Sequence, residues 1–173
     1  MAKTRLFVTL TLLGALTALP AATTAPAHDL AAPAADPGAW SWPLAGHPEL
    51  LRLFDPPAQR WSPGHRGLDL GAAGGEALLA PAPGIVSYAA VVVDRRVLVI
   101  DHGHGLLSSF EPVAGTPRPG TAVAAGDRVG TIDTGGHCDG HCLHWGLRLH
   151  NEYIDPMLTI SDRRPSILLP LGG

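Results

Sequence analysis

The apolar positions of this chain come in short bursts. "ALLAP" (77–81), "GIVSYAAVVV" (84–93), "RRVLVID" (95–101), "LLSSFEPV" (106–113), "RVGTI" (128–132) and "LHWGLRL" (143–149) are each rich in Val, Ile or Leu. Gly, Pro or Asp stands at or near the boundaries of these runs. Runs of that length between turn-forming residues read as strands. "VLVIDHGHGLLSSF" reads as a hairpin, two such runs around a glycine-containing turn. In "TAVAAGDRVGTI" a Gly-Asp corner separates two short strands, as where a small barrel reverses direction. No segment before Asp155 sustains a 3.6-residue apolar period for three turns, and "DPMLTI" offers one turn of helix. The pattern therefore predicts a mainly antiparallel, all-β domain without an internal repeat.

The N-terminus follows a different rule. Lys3 and Arg5 precede the uncharged stretch "LFVTLTLLGALTALPAA", and "APA" at 25–27 offers small residues at both key positions of a signal-peptidase site, with cleavage near Ala27. Pro20 interrupts the apolar run after about 14 residues, short of the ~20 that span a bilayer. We expect a signal peptide over 1–27, with an uncleaved N-terminal anchor as the alternative. A Pro/Ala linker is expected over 28–39, an ordered domain over 40–160 and a C-terminal tail over 161–173. The apolar tail sequence "RRPSILLPL" is expected to pack back on the sheet. Without Lys3 and Arg5 the remainder has ten basic residues against 15 acidic ones. Its arginines form no stripe, which argues against nucleic-acid binding. With no second long apolar run, no membrane association is expected after cleavage, and a secreted, extracytoplasmic location is expected.

Export changes the meaning of the cysteines. Cys138 and Cys142 are the only two in the chain, and in an oxidising compartment such a pair usually joins. Gly140 lets "CDGHC" bend tightly enough for Cα atoms to reach the roughly 4.4–6.8 Å a disulfide needs. The rival is a local Cys/His zinc site of Cys138, His141, Cys142 and His144, which lacks the paired-knuckle spacing of structural zinc modules.

A second polar concentration, "GHRGLDLGA" (64–72), places His65 and Asp69 four apart across Gly67, in what reads as a turn entering a strand. Zinc takes imidazole nitrogen and carboxylate oxygen, and a catalytic site keeps three protein ligands and one open position. His65 and Asp69 offer two, and His144, inside an apolar strand pattern, offers the third. The alternative makes Asp69 a turn cap and His65 a surface residue. His102 and His104 flank a turn and are assigned to turn geometry and solvent.

In order and spacing, "GHRGLDLGAAGGEALLAPAPGIVSYA", "VLVIDHGHGLLSSFEPV", "VAAGDRVGTI" and "CLHWGLR" resemble the lysostaphin/LytM-type zinc metallopeptidases, from about Trp40 to about Pro156. The resemblance implies a compact antiparallel β-sheet or barrel-sandwich of the duplicated hybrid motif type. It implies one zinc per chain on His65, Asp69 and His144, and an exported endopeptidase cutting the peptide cross-links of bacterial peptidoglycan. The family also leads one to expect two supporting histidines, and here the chain departs. "HLH" is replaced by Cys142-Leu143-His144, and "YxHL" by Phe110-Glu111-Pro112-Val113. An acid/base group and an oxyanion donor typically contribute about 10²–10⁴-fold and 10²–10³-fold. His137 and His141, just upstream of the ligand strand, are the candidate replacements. The competing expectation is a catalytically degenerate domain that binds the wall or activates a partner hydrolase.

Overall fold

The computed structural model describes residues 40–160. The expected signal peptide, linker and C-terminal tail lie outside the described residues. Eleven strands follow one another: β1 (Leu50–Arg52), β2 (Leu68–Gly71), β3 (Ala77–Leu79), β4 (Gly84–Val92), β5 (Arg95–Asp101), β6 (Leu106–Glu111), β7 (Val113–Ala114), β8 (Ala122–Val123), β9 (Arg128–Ile132), β10 (Cys142–Leu149) and β11 (Glu152–Ile154). A single 3₁₀ turn, Pro156–Thr159, closes the described chain. Its entry is fixed by Asp155, whose carboxylate accepts from the Met157 N–H at 2.9 Å, the usual way of satisfying a free helical donor. The all-β, antiparallel expectation is borne out.

The strands form two sheets. The larger runs β1-β2-β10-β6-β5-β4-β8, with β11 paired to β10, and the smaller runs β3-β9-β7. The end strands of the larger sheet do not pair with each other, so it is open rather than a closed barrel. The Gly-Asp corner is also not a reversal between paired strands. β8 pairs with β4 while β9 pairs with β3 and β7, so Gly126-Asp127 hands the chain from one sheet to the other. The hairpin predicted around "DHGHG" is present as β5–β6.

Period-two alternation sets the core. On β6, Leu106, Ser108 and Phe110 are buried while Leu107, Ser109 and Glu111 take the other face. On β10, Leu143, Trp145 and Leu147 go inward, and His144, Gly146 and Arg148 share the opposite face. Trp145 stacks between Phe110 and Trp40, with ring centroids 6.3 and 6.4 Å away. Each fully buried side chain of this size contributes roughly 1.5–3 kcal/mol, which makes β10, with partners on both edges, the rigid spine of the molecule.

His102 departs from its expected place in solvent. It is 1% exposed, packed against Trp40 at 4.4 Å between centroids. Its Nδ1–H donates to the Pro83 carbonyl at 2.7 Å, and its Nε2 accepts from the Ser108 hydroxyl at 2.9 Å. With both nitrogens satisfied inside, it is a core histidine, and burial lowers its pKa. His104 does sit exposed in the turn, in a left-handed conformation (φ 51°).

Candidate metal centre

Register brings the polar side chains together. His144 on β10 stands directly opposite Asp69 on β2, so both point from the same face with Cβ atoms about 5 Å apart. His65 arrives from the bend before β2, locked by a two-way backbone bridge to Asp55 with hydrogen bonds of 2.9 and 2.8 Å. Gly67, between them, passes so close to β10 that a Cβ there would lie 2.3 Å from the Trp145 carbonyl oxygen. The glycine of the His-x-Gly-x-Asp motif is therefore what allows the bend to lie against the ligand strand.

The orientation of His65 is set by its far nitrogen. Nδ1–H donates to the Leu53 carbonyl at 2.8 Å, which leaves Nε2 of the neutral ring a bare lone pair. That lone pair faces Asp69 Oδ1 at 3.0 Å and His144 Nδ1 at 3.1 Å. His144 Nδ1 lies 2.7 Å from the same oxygen, and His137 Nε2 lies 2.9 Å from it. One carboxylate oxygen thus has three imidazole nitrogens around it, at least one of them without a proton when the rings are neutral. Protons can bridge some of these contacts, whereas a single cation satisfies all the lone pairs together. Donors about 2.0–2.2 Å from a tetrahedral ion stand roughly 3.3 Å apart, so these would need to part by only about half an ångström. The nitrogen and oxygen donors present fit zinc.

The electrostatics agree. Burial alone would push the Asp69 carboxyl up, but hydrogen bonds from His144 and His137 in the metal-free site, and the charge of those rings whenever they are protonated, outweigh it and hold the group well below the usual carboxylate range. Asp69 is therefore an anion in a pocket of imidazoles, the state a metal ligand requires.

The fourth member comes from a loop. His137 lies between β9 and β10 and is half exposed, whereas His65 and Asp69 are buried. Cys138 and Cys142 are joined in a disulfide, with Cα atoms 4.8 Å apart, anchoring the loop to the first residue of β10. At its other end the Gly136 N–H donates to Asp94 at 3.2 Å, and Arg95 beneath it donates to Asp94 and Glu111. The loop residues Gly135, Gly136, Asp139 and Gly140 all have positive φ. This curl carries His137 over Asp69.

Of the two loop histidines, only His137 is brought to the centre. The groups of converging donors are His65, Asp69, His137 and His144, and Asp69, His137, Cys138 and Cys142. His141 belongs to neither group and is exposed, so it is not brought to the centre. The local Cys138–His141–Cys142–His144 cluster is not assembled either, because both sulfurs are spent in the disulfide. Glu111 was missed in the sequence. It stands opposite His144 on β6, and the outward alternation of β6 was the available signal.

The open antiparallel β fold carries a largely buried His/Asp/His set with a loop histidine beside it, a donor set of the metal-binding kind. Residues 63–156 match the model of Peptidase family M23, and the chain belongs to that family. It is 35% identical over 155 residues to the uncharacterized protein Rv2891 of Mycobacterium tuberculosis, covering 86% of this chain and 59% of that protein. The chain thus spans somewhat over half the length of that relative. Among solved structures, a peptidase M23 protein of Pseudomonas aeruginosa is 27% identical with a TM-score of 0.52, over 70% of this chain and 55% of the other. A zinc-containing peptidase of Vibrio cholerae (18%, TM-score 0.59, 67% of this chain and 38% of the other) and lysostaphin (15%, TM-score 0.56, 73% and 57%) share the fold.

Proposed function

We propose that the chain is an exported zinc metalloendopeptidase that hydrolyses peptide cross-links of bacterial peptidoglycan. The observation that carries this reading is the convergence of His65 Nε2, His144 Nδ1 and His137 Nε2 on one oxygen of Asp69. His65, Asp69 and His144 would hold one zinc, which when bound polarises a peptide carbonyl and lowers the pKa of water toward ~7. The Leu53 carbonyl fixes the ring of His65, and Asp69 supplies the negative charge. His137, on the solvent side, holds or moves a proton at Nε2, the work left open by the departures at Pro112 and Cys142. Membership in family M23 and the fold shared with a zinc-containing peptidase support the choice of metal and reaction class.

The test uses purified, zinc-loaded protein on isolated peptidoglycan, with release of new amino groups as the readout. Release should be abolished in His65→Ala, and activity surviving that substitution would refute the proposal. A second reading rests on Cys142 and Pro112, which stand where supporting histidines are expected. In it the domain binds the wall or activates a partner hydrolase. Co-sedimentation with peptidoglycan without fragment release, together with a faster partner, would favour it.

A further inference from the structure

Beyond the metal centre lies a cleft of about 820 Å³ that includes Pro57, Arg60, Trp61, Arg66, Arg148 and Tyr153 in its lining. The chain carries a net charge of −3, yet this lining holds three arginines against one carboxylate, Glu152. Among the described residues, none of the three guanidinium groups lies in a salt bridge. Two of them are held over aromatic rings instead. Arg60 sits 5.2 Å from the centroid of Trp61, and Arg148 5.7 Å from that of Tyr153. Trp61 is 87% exposed, so the stack presents both its cation and its ring face to whatever enters. Arg66 uses one terminal nitrogen to brace the carbonyls of Arg60 and Ser62, at 2.8 and 3.2 Å, which shapes the loop while leaving its other donors free.

The cleft is in line with the metal donors. His144, Gly146 and Arg148 share one face of β10, and Tyr153 stands opposite Arg148 on β11. Gly146 between them is buried, with Ser109 Oγ, the Arg66 carbonyl and the Tyr153 ring where its side chain would stand, so a chain reaching from one site to the other passes over Arg66 and Tyr153. Four residue steps along the strand lead from His144 to Arg148, about 13 Å at ~3.3 Å per residue. An extended peptide has nearly the same rise, so about four of its residues reach from one site to the other.

We propose that this cleft is a specificity site for a free carboxylate of the peptidoglycan stem peptide, about four residues from the bond that is cut. Unpaired guanidinium groups offer forked donors matched to a carboxylate, and Trp61 and Tyr153 give flat cover for the neighbouring peptide. This inference rests on the proposed function in identifying the peptide, and its test does not depend on cleavage.

The probes are soluble, uncross-linked stem peptides prepared from peptidoglycan, with carboxylates either free or converted to primary amides. Binding is measured by calorimetry on the zinc-loaded protein and on the double variant Arg60→Gln/Arg148→Gln, with zinc content and melting temperature confirming that the variant is folded. The wild type should bind the free acid roughly tenfold more tightly than the amide, and the double variant should lose that preference. A variant that keeps the preference, or a wild type indifferent to amidation, overturns the proposal. So does competition by phosphate-bearing wall polymer in a protein that ignores amidation. A charge-dependent preference without any cleavage of cross-linked dimers would refute the hydrolytic reading while leaving the carboxylate site standing.

Discussion

Gly67→Ala is the sharpest probe of how the metal donors are placed. Gly67 is not in the left-handed region, so alanine meets no backbone strain, and the whole effect is steric. The added Cβ would stand 2.3 Å from the Trp145 carbonyl oxygen and 2.9 Å from His144 Cε1. A carbon–oxygen contact needs about 3.3 Å, so the bend before β2 must retreat from β10 by about 1 Å. Its obstacle is backbone on a strand paired on both edges, which cannot swing aside as a side chain would. Overpacking of this kind costs up to about 3 kcal/mol, and the lower chain entropy of unfolded alanine returns up to about 1 kcal/mol. The expected net loss is about 2 kcal/mol, a fall of roughly 6–10 °C in melting temperature for a domain of this size. The same retreat pulls Asp69 and His65 from His144, so zinc affinity should fall with stability. Thermal melts and metal analysis read both. A variant that melts within about 2 °C of the wild type and holds one zinc would show that the bend is free to move and that register does not set the site.

Three further outcomes follow from the loop and the core. His137→Ala should lower the peptidoglycan-hydrolysis rate by about 10²-fold or more while zinc analysis still gives one ion per chain, and His141→Ala should leave the rate unchanged. Replacing Cys138 and Cys142 with serine opens a ring of sequence separation 4, worth about 2 kcal/mol in denaturant melts by loop entropy. Zinc should be retained, and its loss would restore the cysteines as ligands. His102 is kept neutral by burial, while an unfolded histidine titrates near 6.5. Its folded pKa lies below the unfolded one, so its contribution is complete above about pH 6.5 and is lost as pH falls from there. The melting temperature should drop between pH 7.5 and 5.5, with a shallower slope in His102→Gln; equal slopes would refute this.

Side-chain type and strand periodicity made much of this legible in the sequence. The runs named from the sequence lie where β3 to β6, β9 and β10 form, because alternating Leu, Val and Ile bury one face of a strand wherever it pairs. The grouping of His65, Asp69 and His144 stayed open on the residues alone and was implied by the resemblance, and the register of β2 with β10 is what sets Asp69 opposite His144. What was not legible depends on partners distant in the chain. His102 follows a turn, yet Pro83 and Ser108 satisfy it inside. Gly126-Asp127 looks like any tight corner, and only the pairing of β8 with β4 shows that it crosses between sheets. Arg60 and Trp61 lie in a stretch without periodicity, so nothing local aligned them with Arg148, distant in the chain on β10.

The choice between His137 and His141 shows the same limit and gives it a physical meaning. Each stands immediately before a cysteine of the Cys138–Cys142 pair, and a loop with four positive-φ residues has no period to assign faces. The structure decides through anchors: the disulfide at one end, the Asp94–Gly136 bond at the other, and Arg95 with Glu111 beneath. Glu111 lies on the same strand edge as the departure at Pro112, and Cys142 is itself the other departure. The two positions where supporting histidines are missing are therefore where the loop carrying His137 is fastened. In sequence they look like two independent losses. On the proposed function they are one exchange, in which the sheet-borne histidines that the resemblance implies give way to His137, on a loop that the sheet holds in place.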